Sequence, residues 1–320
     1  MDNQDTLSKL SVTKLRALCK ENGIKGFSTK SKPELVAMLT EAQTAGHSET
    51  QPPTPSEPLS QEVLTMDCID GMKGQPSESY DVIVCDPPYN IGKDFGNDSD
   101  KQETDAYLAW CDEWIAECIR LLKPDGTLYI YGFPETLAFI RVRINIRVRW
   151  LTWHYTNKTV PSLNFWQRTQ ESILCCSKQT PYFNRDAVRE PYTENFIANA
   201  AGKVRKATKG RFSKGDTETV YNAHEGGALP RDVIKIPALA GGAGKKERVD
   251  HPTQKPLALC EKLLKACLRS GQESQTRVLI PFAGSGSECV AAKRLGCNFL
   301  AYEINQDYVE LSKQRIETEC

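Results

Sequence analysis

"VLIPFAGSGSECVAAKRLG", residues 278–296, is the stretch whose reading decides the fold. It reads as a short apolar strand over Val278–Ile280, a glycine turn, and a helix over Ser287–Leu295. Gly284 and Gly286 permit positive φ and a close approach of backbone to a ligand. A turn of this kind presents its ligand at the carboxyl end of the strand. A second strand, Phe299–Tyr302, follows and runs out on Glu303. That acid stands at about the spacing where a carboxylate meets ribose hydroxyls in nucleotide-binding α/β folds.

The full GxGxxG fingerprint is absent, because Ser287, Glu288 and Cys289 follow Gly286. Glu288, at the start of the helix, would repel a pyrophosphate there. A nucleoside without phosphates suits the turn better. S-adenosylmethionine is such a ligand, with adenine, ribose, a sulfonium and a zwitterionic amino-acid end.

Outward from this turn, strands and helices alternate, which favours a mostly parallel sheet. Strands are expected at Val63–Met66, Val82–Cys85, Thr127–Tyr131, Leu151–Tyr155 and Ser172–Cys176, with helices over Thr104–Leu122, Pro256–Arg269 and Gln306–Arg315. "LKPDG", residues 122–126, reads as a helix stop and a turn. "RVRINIRVRW", residues 141–150, would put Arg141, Arg143, Arg147 and Arg149 on one face of a strand, or continue a helix entering from Glu135. The expected class is α/β: a doubly wound, mostly parallel sheet with a small helical domain in front of it.

"VIVCDPPYN", residues 82–90, ends a strand that reads as buried on both faces with a carboxylate, two prolines and a phenol. An exocyclic amino group on a nucleobase is a poor nucleophile, because its lone pair is delocalised into the ring. It needs acceptors for its hydrogens that draw the nitrogen toward tetrahedral geometry. Asp86 offers a carboxylate and Pro87 a backbone carbonyl in a region poor in N–H donors. Pro88 stiffens the turn, and Tyr89 offers a flat face for a base taken out of the helix. The alternative is an ordinary loop, since Asp-Pro favours turns after strands.

"DPPYN" (86–90), "HPTQKP" (251–256) and "PFAGSGSE" (281–288) resemble, in this order, the motifs of the β-class DNA amino-methyltransferases, over about residues 62–318. The resemblance implies the circularly permuted methyltransferase fold and S-adenosylmethionine as cofactor. It implies catalytic roles for Asp86, Pro87, Pro88 and Tyr89. It also implies cofactor contacts from Asp67, Thr253, Lys255, Phe282, Gly284, Gly286 and Glu303. "WHYTNKTVP" and "FWQRTQESILCCSK" resemble later β-class segments that flank the target pocket. One position departs from the pattern: many members have Asp before Pro-Phe, and here it is Ile280, for which Asp67 or Glu288 would have to compensate.

Residues 47–62, "HSETQPPTPSEPLSQE", cannot bury a core and read as a linker. The expected division is a head over 1–46, a linker over 47–61 and a methyltransferase body over 62–320. In the head, Ser31 and Glu34 form a capping-box signal, Pro33 sits in the first turn, and Leu35, Met38 and Leu39 supply an apolar face. A first helix is expected from about Val12 to Asn22, ending before Gly23. "VTKLRALCKENGIKGFSTKSKPELV" resembles the SAP domain, a DNA-binding module; the plainer reading is a helical interaction module with a solvated basic face.

The polar interval of about 180–250 would hold target recognition. Its "KVRKATKGRFSK" run offers Lys203, Arg205, Lys206, Lys209, Arg211 and Lys214 for phosphate contact from a loop that orders on DNA.

The chain of 320 residues balances 41 basic against 41 acidic side chains, which argues against a protein that coats nucleic acid everywhere. Its 12 cysteines lack CxxC or zinc spacing and read as small buried hydrophobes of a reducing compartment. No metal site is expected. His251 reads as a structural histidine or turn former. With no apolar leader and no membrane-length stretch, the expected location is cytoplasmic, at the nucleoid in a bacterium.

The expected function is site-specific transfer of methyl to N6 of adenine in double-stranded DNA through base flipping, with N4 of cytosine as the close alternative. A nucleotide-dependent oxidoreductase and a non-catalytic DNA-binding protein are more distant readings. A restriction endonuclease partner and a homodimer are both compatible with it. The reading requires Asp86 and the late glycines to face one cavity; separate cavities would overturn it.

Overall fold

The structure, a computed structural model, describes residues 11–21, 30–45, 60–93, 100–157, 161–206, 209–210, 215 and 218–320. The chain divides into two compact units, Met1–Pro58 and Leu59–Cys320.

In the first unit, helices α1 (Val12–Glu21) and α2 (Lys32–Ala45) share a small core of Leu15, Cys19, Leu35, Val36 and Leu39. Val36, not Met38, completes that core, so the buried stripe is turned slightly from the expected one. The capping box forms: the Ser31 backbone N–H donates to Glu34 Oε2 at 2.8 Å and the Ser31 hydroxyl at 2.6 Å. These bonds pull the Glu34 carboxyl down to about 2.

The second unit is built on an eight-stranded sheet. Its strands are β1 (Gln61–Thr65), β2 (Tyr80–Cys85), β3 (Leu122–Gly132), β4 (Arg147–His154), β5 (Gln170–Ser177), β8 (Val233–Lys235), β9 (Arg277–Ile280) and β10 (Asn298–Glu303). They are ordered β1-β10-β9-β2-β3-β5-β4-β8. The run from β1 to β3 is parallel throughout, and β5 is antiparallel to both of its neighbours. All seven expected strands are present.

Helices α3 (Cys68–Lys73), α4 (Thr104–Leu121) and α5 (Pro134–Arg141) cover one face of the sheet. Helices α7 (Leu257–Lys265), α8 (Ser287–Arg294) and α9 (Gln306–Thr318) cover the other. Strand β2 shows why its sequence is apolar without alternation. Val82 and Val84 belong to one core cluster and Ile83 and Cys85 to the other. Cys85 packs its sulfur 3.7 Å from that of Cys118 inside the second cluster, and every described cysteine is a free thiol.

Two local expectations are corrected. Residues 141–150 are neither one strand nor one helix: α5 ends at Arg141 and β4 begins at Arg147, so only Arg147 and Arg149 share a strand face. The "LKPDG" turn is absorbed into β3, with a register shift against β2 between Tyr80 and Val82. Helix α4 stops because Leu122 takes extended dihedrals, and the chain enters the sheet without a separate loop.

The sequence of the polar interval gave no periodic signal, yet it carries α6 (Glu194–Asn199) and an antiparallel hairpin of β6 (Val204–Lys206) and β7 (Glu218–Val220). Three-residue strands are too short to show a period. Among the described residues, no helix is long and apolar enough to cross a membrane.

Candidate active site

Strands β2 and β9 lie side by side, with Val82 opposite Val278 and Ile83 opposite Leu279. From β2 the chain moves on to β3 on one side; from β9 it moves on to β10 on the other. The crevice between them is therefore a topological switch point, where open α/β sheets bind ligands. Asp67 follows β1, Asp86 follows β2, Pro281–Gly284 follow β9 and Glu303 ends β10, all at the carboxyl edge of the parallel strands.

A cavity opens at this edge, with about 970 Å³ of empty space, part of it open to solvent. Asp67, Asp86, Pro88, Trp110, His251, Thr253, Phe282, Gly284, Glu288 and Glu303 are among its walls. The required convergence of Asp86 with the late glycine turn is met by Gly284. Gly286 does not line the cavity. Its φ is +77°, and a Cβ there would come within 2.9 Å of Ser312 Cα, so this glycine serves the close packing of α9 on the turn.

Glu303 is locked in place by the turn it faces. Its Oε2 accepts from Gly284 N at 2.8 Å and its Oε1 from Asn305 N at 2.9 Å, while burial raises its carboxyl above the usual range. Asp67 caps α3, its Oδ1 accepting from Ile69 N and Asp70 N. Phe282 packs edge-on against Trp110 and Trp114, with centroids 5.7 and 5.5 Å away. Among the described residues, the ionisable side chains on these walls are four carboxylates, two tyrosines, a cysteine and one histidine, with no lysine or arginine. An acidic, aromatic cleft of this kind suits a cationic nucleoside and disfavours the pyrophosphate of a dinucleotide.

A second cavity, with about 1210 Å³ of empty space, adjoins the first and shares His251 and Thr253 with it. Tyr89, Phe133, Trp153, Tyr155, Glu171, Arg248 and Lys255 line it. The Tyr89 hydroxyl donates to Asp86 Oδ1 at 2.9 Å and reaches Glu171 Oε2 at 3.3 Å. Its ring meets Phe133 edge-on at 5.2 Å. Lys255 donates to Asp86 Oδ2 at 2.8 Å and lies 3.8 Å from Glu171. Lys255 thus belongs to the carboxylate cluster of the second cavity and not to the walls of the first. Burial opposes its charge, but Asp86 and Glu171 outweigh that and raise the ammonium above its ordinary value.

The loop itself is pinned from behind. The Pro88 carbonyl accepts from the Tyr107 hydroxyl at 2.8 Å. Asp100 accepts from the backbone N–H groups of Asn90, Ile91 and Lys93. Among the described residues, no donor is directed at the Pro87 carbonyl oxygen. His251 is the expected turn former: its Nδ1 accepts from Thr253 N at 3.3 Å, and burial pulls its imidazole down to about 4.

Sequence reasoning missed Glu171, Trp110, Asp100 and the extent of Glu288's burial. Glu171 alone carried a signal, an acid at the head of the apolar run "SILCC". Of the basic run, Lys203, Arg205, Lys206 and Lys209 are exposed, with Arg205 donating to Asn199 O and Lys206 3.9 Å from Glu218. Arg211 and Lys214 lie outside the described residues. No cluster of His, Cys, Asp or Glu among the described residues could hold a metal ion.

A family model of DNA methylases of the N6/N4 type matches residues 80–314. The Escherichia coli (strain K12) DNA adenine methyltransferase YhdJ is 31% identical over 261 residues, 80% of this chain and 82% of that protein. The type II methyltransferase M.HpaI of Haemophilus parainfluenzae is 29% identical over 267 residues, 82% of this chain and 76% of that protein. In fold, the chain is similar to the cytosine-N4-specific PvuII DNA methyltransferase, at a TM-score of 0.55 and 15% identity, covering 79% of this chain and 85% of that one. With its catalytic-motif loop and its glycine turn facing one cleft, this chain belongs to the N6/N4 DNA methyltransferases, enzymes that take a methyl group from S-adenosylmethionine.

Proposed function

We propose that this chain methylates N6 of adenine in double-stranded DNA at sites chosen by sequence, with the target base everted into the second cavity. The observation behind the reading is that Asp86 lines the first cavity while its hydrogen-bond partners Tyr89 and Lys255 line the second. A base in one cavity and a nucleoside in the other would meet at that carboxylate.

The residues of the first cavity fit S-adenosylmethionine, because its described walls carry carboxylates and aromatic surface and no lysine or arginine. When bound, that molecule supplies a methyl group made electrophilic by a sulfonium. Glu303, with lone pairs left after its two backbone bonds, takes the ribose hydroxyls. Asp67 approaches the adenine, Phe282 and Trp110 pack against it, and Thr253 closes the methionine end.

On the other side, the Asp86 carboxylate accepts one N–H of the target amine and the Pro87 carbonyl accepts the other. Both pull the nitrogen lone pair out of conjugation. Asp86 then holds the proton that the nitrogen sheds. Tyr89 and Phe133 flank the everted base. The work is orientation and electrostatics, without a covalent intermediate.

Adenine is favoured over cytosine by the adenine methyltransferase among the relatives and by Asp, not Ser, at position 86. Transfer of tritiated methyl onto DNA, followed by nucleoside analysis, tests this. The expected product is N6-methyladenine, and label in N4-methylcytosine alone overturns the assignment.

Residues 1–46 act as a DNA tether joined through 47–61 to the catalytic body 62–320, whose interval of about 180–250 reads the target. Lys203, Arg205, Lys206 and Lys209 contact phosphates. Deleting residues 1–60 weakens DNA affinity more than turnover at saturating DNA; unchanged affinity refutes the tether. The similarity to a type II methyltransferase favours a restriction endonuclease that shares the recognition sequence.

A further inference from the structure

Glu288, the second residue of α8 just past the glycine turn, is 4% exposed and lines the first cavity. Beyond its own backbone N–H at the start of the helix, little holds its charge. The Cys260 thiol, a weak donor on α7, lies 3.4 Å from its Oε1. Asp86 at the end of β2 and Lys255 in the loop before α7 are the charged side chains that act on it most strongly. The buried Tyr131 hydroxyl on β3 is close enough to feel its charge and has the Cys260 thiol, itself a weak partner, beside it. Lys255, the cation within reach, is already engaged by Asp86, Glu171 and the Thr253 carbonyl. Arg315 on α9 spends its guanidinium on Ser285 O, the Ser287 hydroxyl and Glu319. A buried carboxyl so placed wants a cation from outside the chain.

The direction along the cavity says which cation. Gly284 and Glu303 are bonded to each other and mark the ribose end. Glu288 lines the same cavity and lies within electrostatic reach of Asp86, the carboxylate at which the methyl group must arrive, so it belongs to the sulfonium and amino-acid end of the ligand.

We propose that Glu288 receives the α-ammonium of the cofactor's methionine end, an inference that rests on the first cavity being the S-adenosylmethionine site. Glu288 is then a specificity-determining residue for ligands that carry the amino-acid tail. Burial, with Asp86 beside it, pushes its carboxyl up to about 7, against which Lys255 works in the other direction. Ligand capture at neutral pH is therefore accompanied by loss of the Glu288 proton to solvent.

Calorimetry with three probes tests this. S-adenosylhomocysteine keeps the ammonium and lacks the sulfonium; 5′-methylthioadenosine lacks both; S-adenosylmethionine has both. Glu288→Gln, which keeps the volume, is expected to weaken S-adenosylmethionine and S-adenosylhomocysteine alike by roughly tenfold or more, and to leave 5′-methylthioadenosine unchanged. In wild type at pH 7, buffers of different protonation enthalpy should report release of about half a proton with the two tailed ligands and none with 5′-methylthioadenosine. Glu288→Gln should abolish that release.

Should the variant fold poorly, wild type alone gives the answer. The affinity ratio of S-adenosylhomocysteine to 5′-methylthioadenosine should rise from pH 6 to 7.5; a flat ratio overturns the proposal. Loss confined to S-adenosylmethionine would make the sulfonium the partner, and equal loss for all three would make Glu288 a structural residue; either overturns it. Glu303→Gln separates the two levels of argument. If it weakens 5′-methylthioadenosine while Glu288→Gln spares the tailed ligands, only this inference falls. If no probe binds, the assignment of the cavity falls with it.

Discussion

Lys255 Nζ lies 2.8 Å from Asp86 across 169 residues of sequence, with 3% and 14% of the two side chains exposed. The ammonium also stands 5.1 Å from the Tyr89 ring centre and 5.2 Å from that of Tyr131. The motif after β2 and the segment before α7 are thus joined by a buried ion pair. The second carboxylate in the cluster, Glu171, is pushed upward by burial, with Lys255 working against the shift.

Lys255→Met is expected to destabilise the fold by about 3–5 kcal/mol, because it strands Asp86 and Glu171 in the interior without their cation. Chemical denaturation measures this, and a loss below about 1 kcal/mol would show that water already screens the pair. Asp86→Ala should abolish methyl transfer and leave S-adenosylmethionine affinity within a few-fold of wild type. An active variant removes the catalytic role of the carboxylate.

Tyr89 has two separable duties. Its hydroxyl ties the loop to Asp86 and Glu171, and its ring forms a wall of the second cavity. Tyr89→Phe should lower kcat by roughly tenfold, through loss of one orienting hydrogen bond, and keep base eversion. Tyr89→Ala should lose both. Fluorescence of 2-aminopurine at the target position reports eversion, and a Phe variant that turns over like wild type would make the hydroxyl dispensable.

The pH dependence of stability contains two opposed contributions at the cavity. Glu288 is raised to about 7, so its contribution is complete below about pH 4.5 and fades as pH climbs through 7. His251 is lowered to about 4, so its contribution is complete above about pH 6.5 and fades as pH falls toward 4. Between about pH 4.5 and 6.5 the two slopes offset each other. Unfolding of the ligand-free protein should expose them one at a time. Relative to wild type, His251→Gln should lose stability as pH rises from 5 to 7.5, and Glu288→Gln should gain it over the same range. Parallel curves for all three proteins would refute both shifts.

The centre of the parallel half, β2 and β9, was legible because these strands are buried on both faces and end in motif residues. "VIVC" and "VLIPF" admit few other readings once the glycine turn follows. The hairpin of β6 and β7 was not legible, since three exposed residues such as Val204–Lys206 have no period to detect. At the site, Asp86, Tyr89, Gly284 and Glu303 could be anticipated from local chemistry. Lys255 could not be placed, because its partner depends on how α7 packs behind β2 and β3. Trp110 reads like any apolar position on α4, and only the tertiary arrangement turns it toward the cavity.

The two glycines of the turn answer to different constraints, and alanine distinguishes them. At Gly286, φ is +77° and a new Cβ would sit 2.9 Å from both Cα and Cβ of Ser312. That backbone cannot retreat easily: the Ser312 hydroxyl donates to Gly284 O, and Arg315 on the same helix donates to Ser285 O. Left-handed strain alone costs about 1–3 kcal/mol, and the displacement of α9 adds to it. Gly286→Ala should therefore lower Tm sharply while the folded fraction keeps its S-adenosylmethionine affinity. At Gly284, φ is +49° and the nearest atom to a new Cβ is His251 Nε2 at 3.0 Å, a side chain on a loop that can shift by a few tenths of an ångström. Gly284→Ala should lose less stability and more cofactor affinity, because the methyl group grows from a wall of the first cavity. Thermal melts and calorimetry on the two variants check this, and the opposite ranking would return Gly286 to the ligand and Gly284 to the packing.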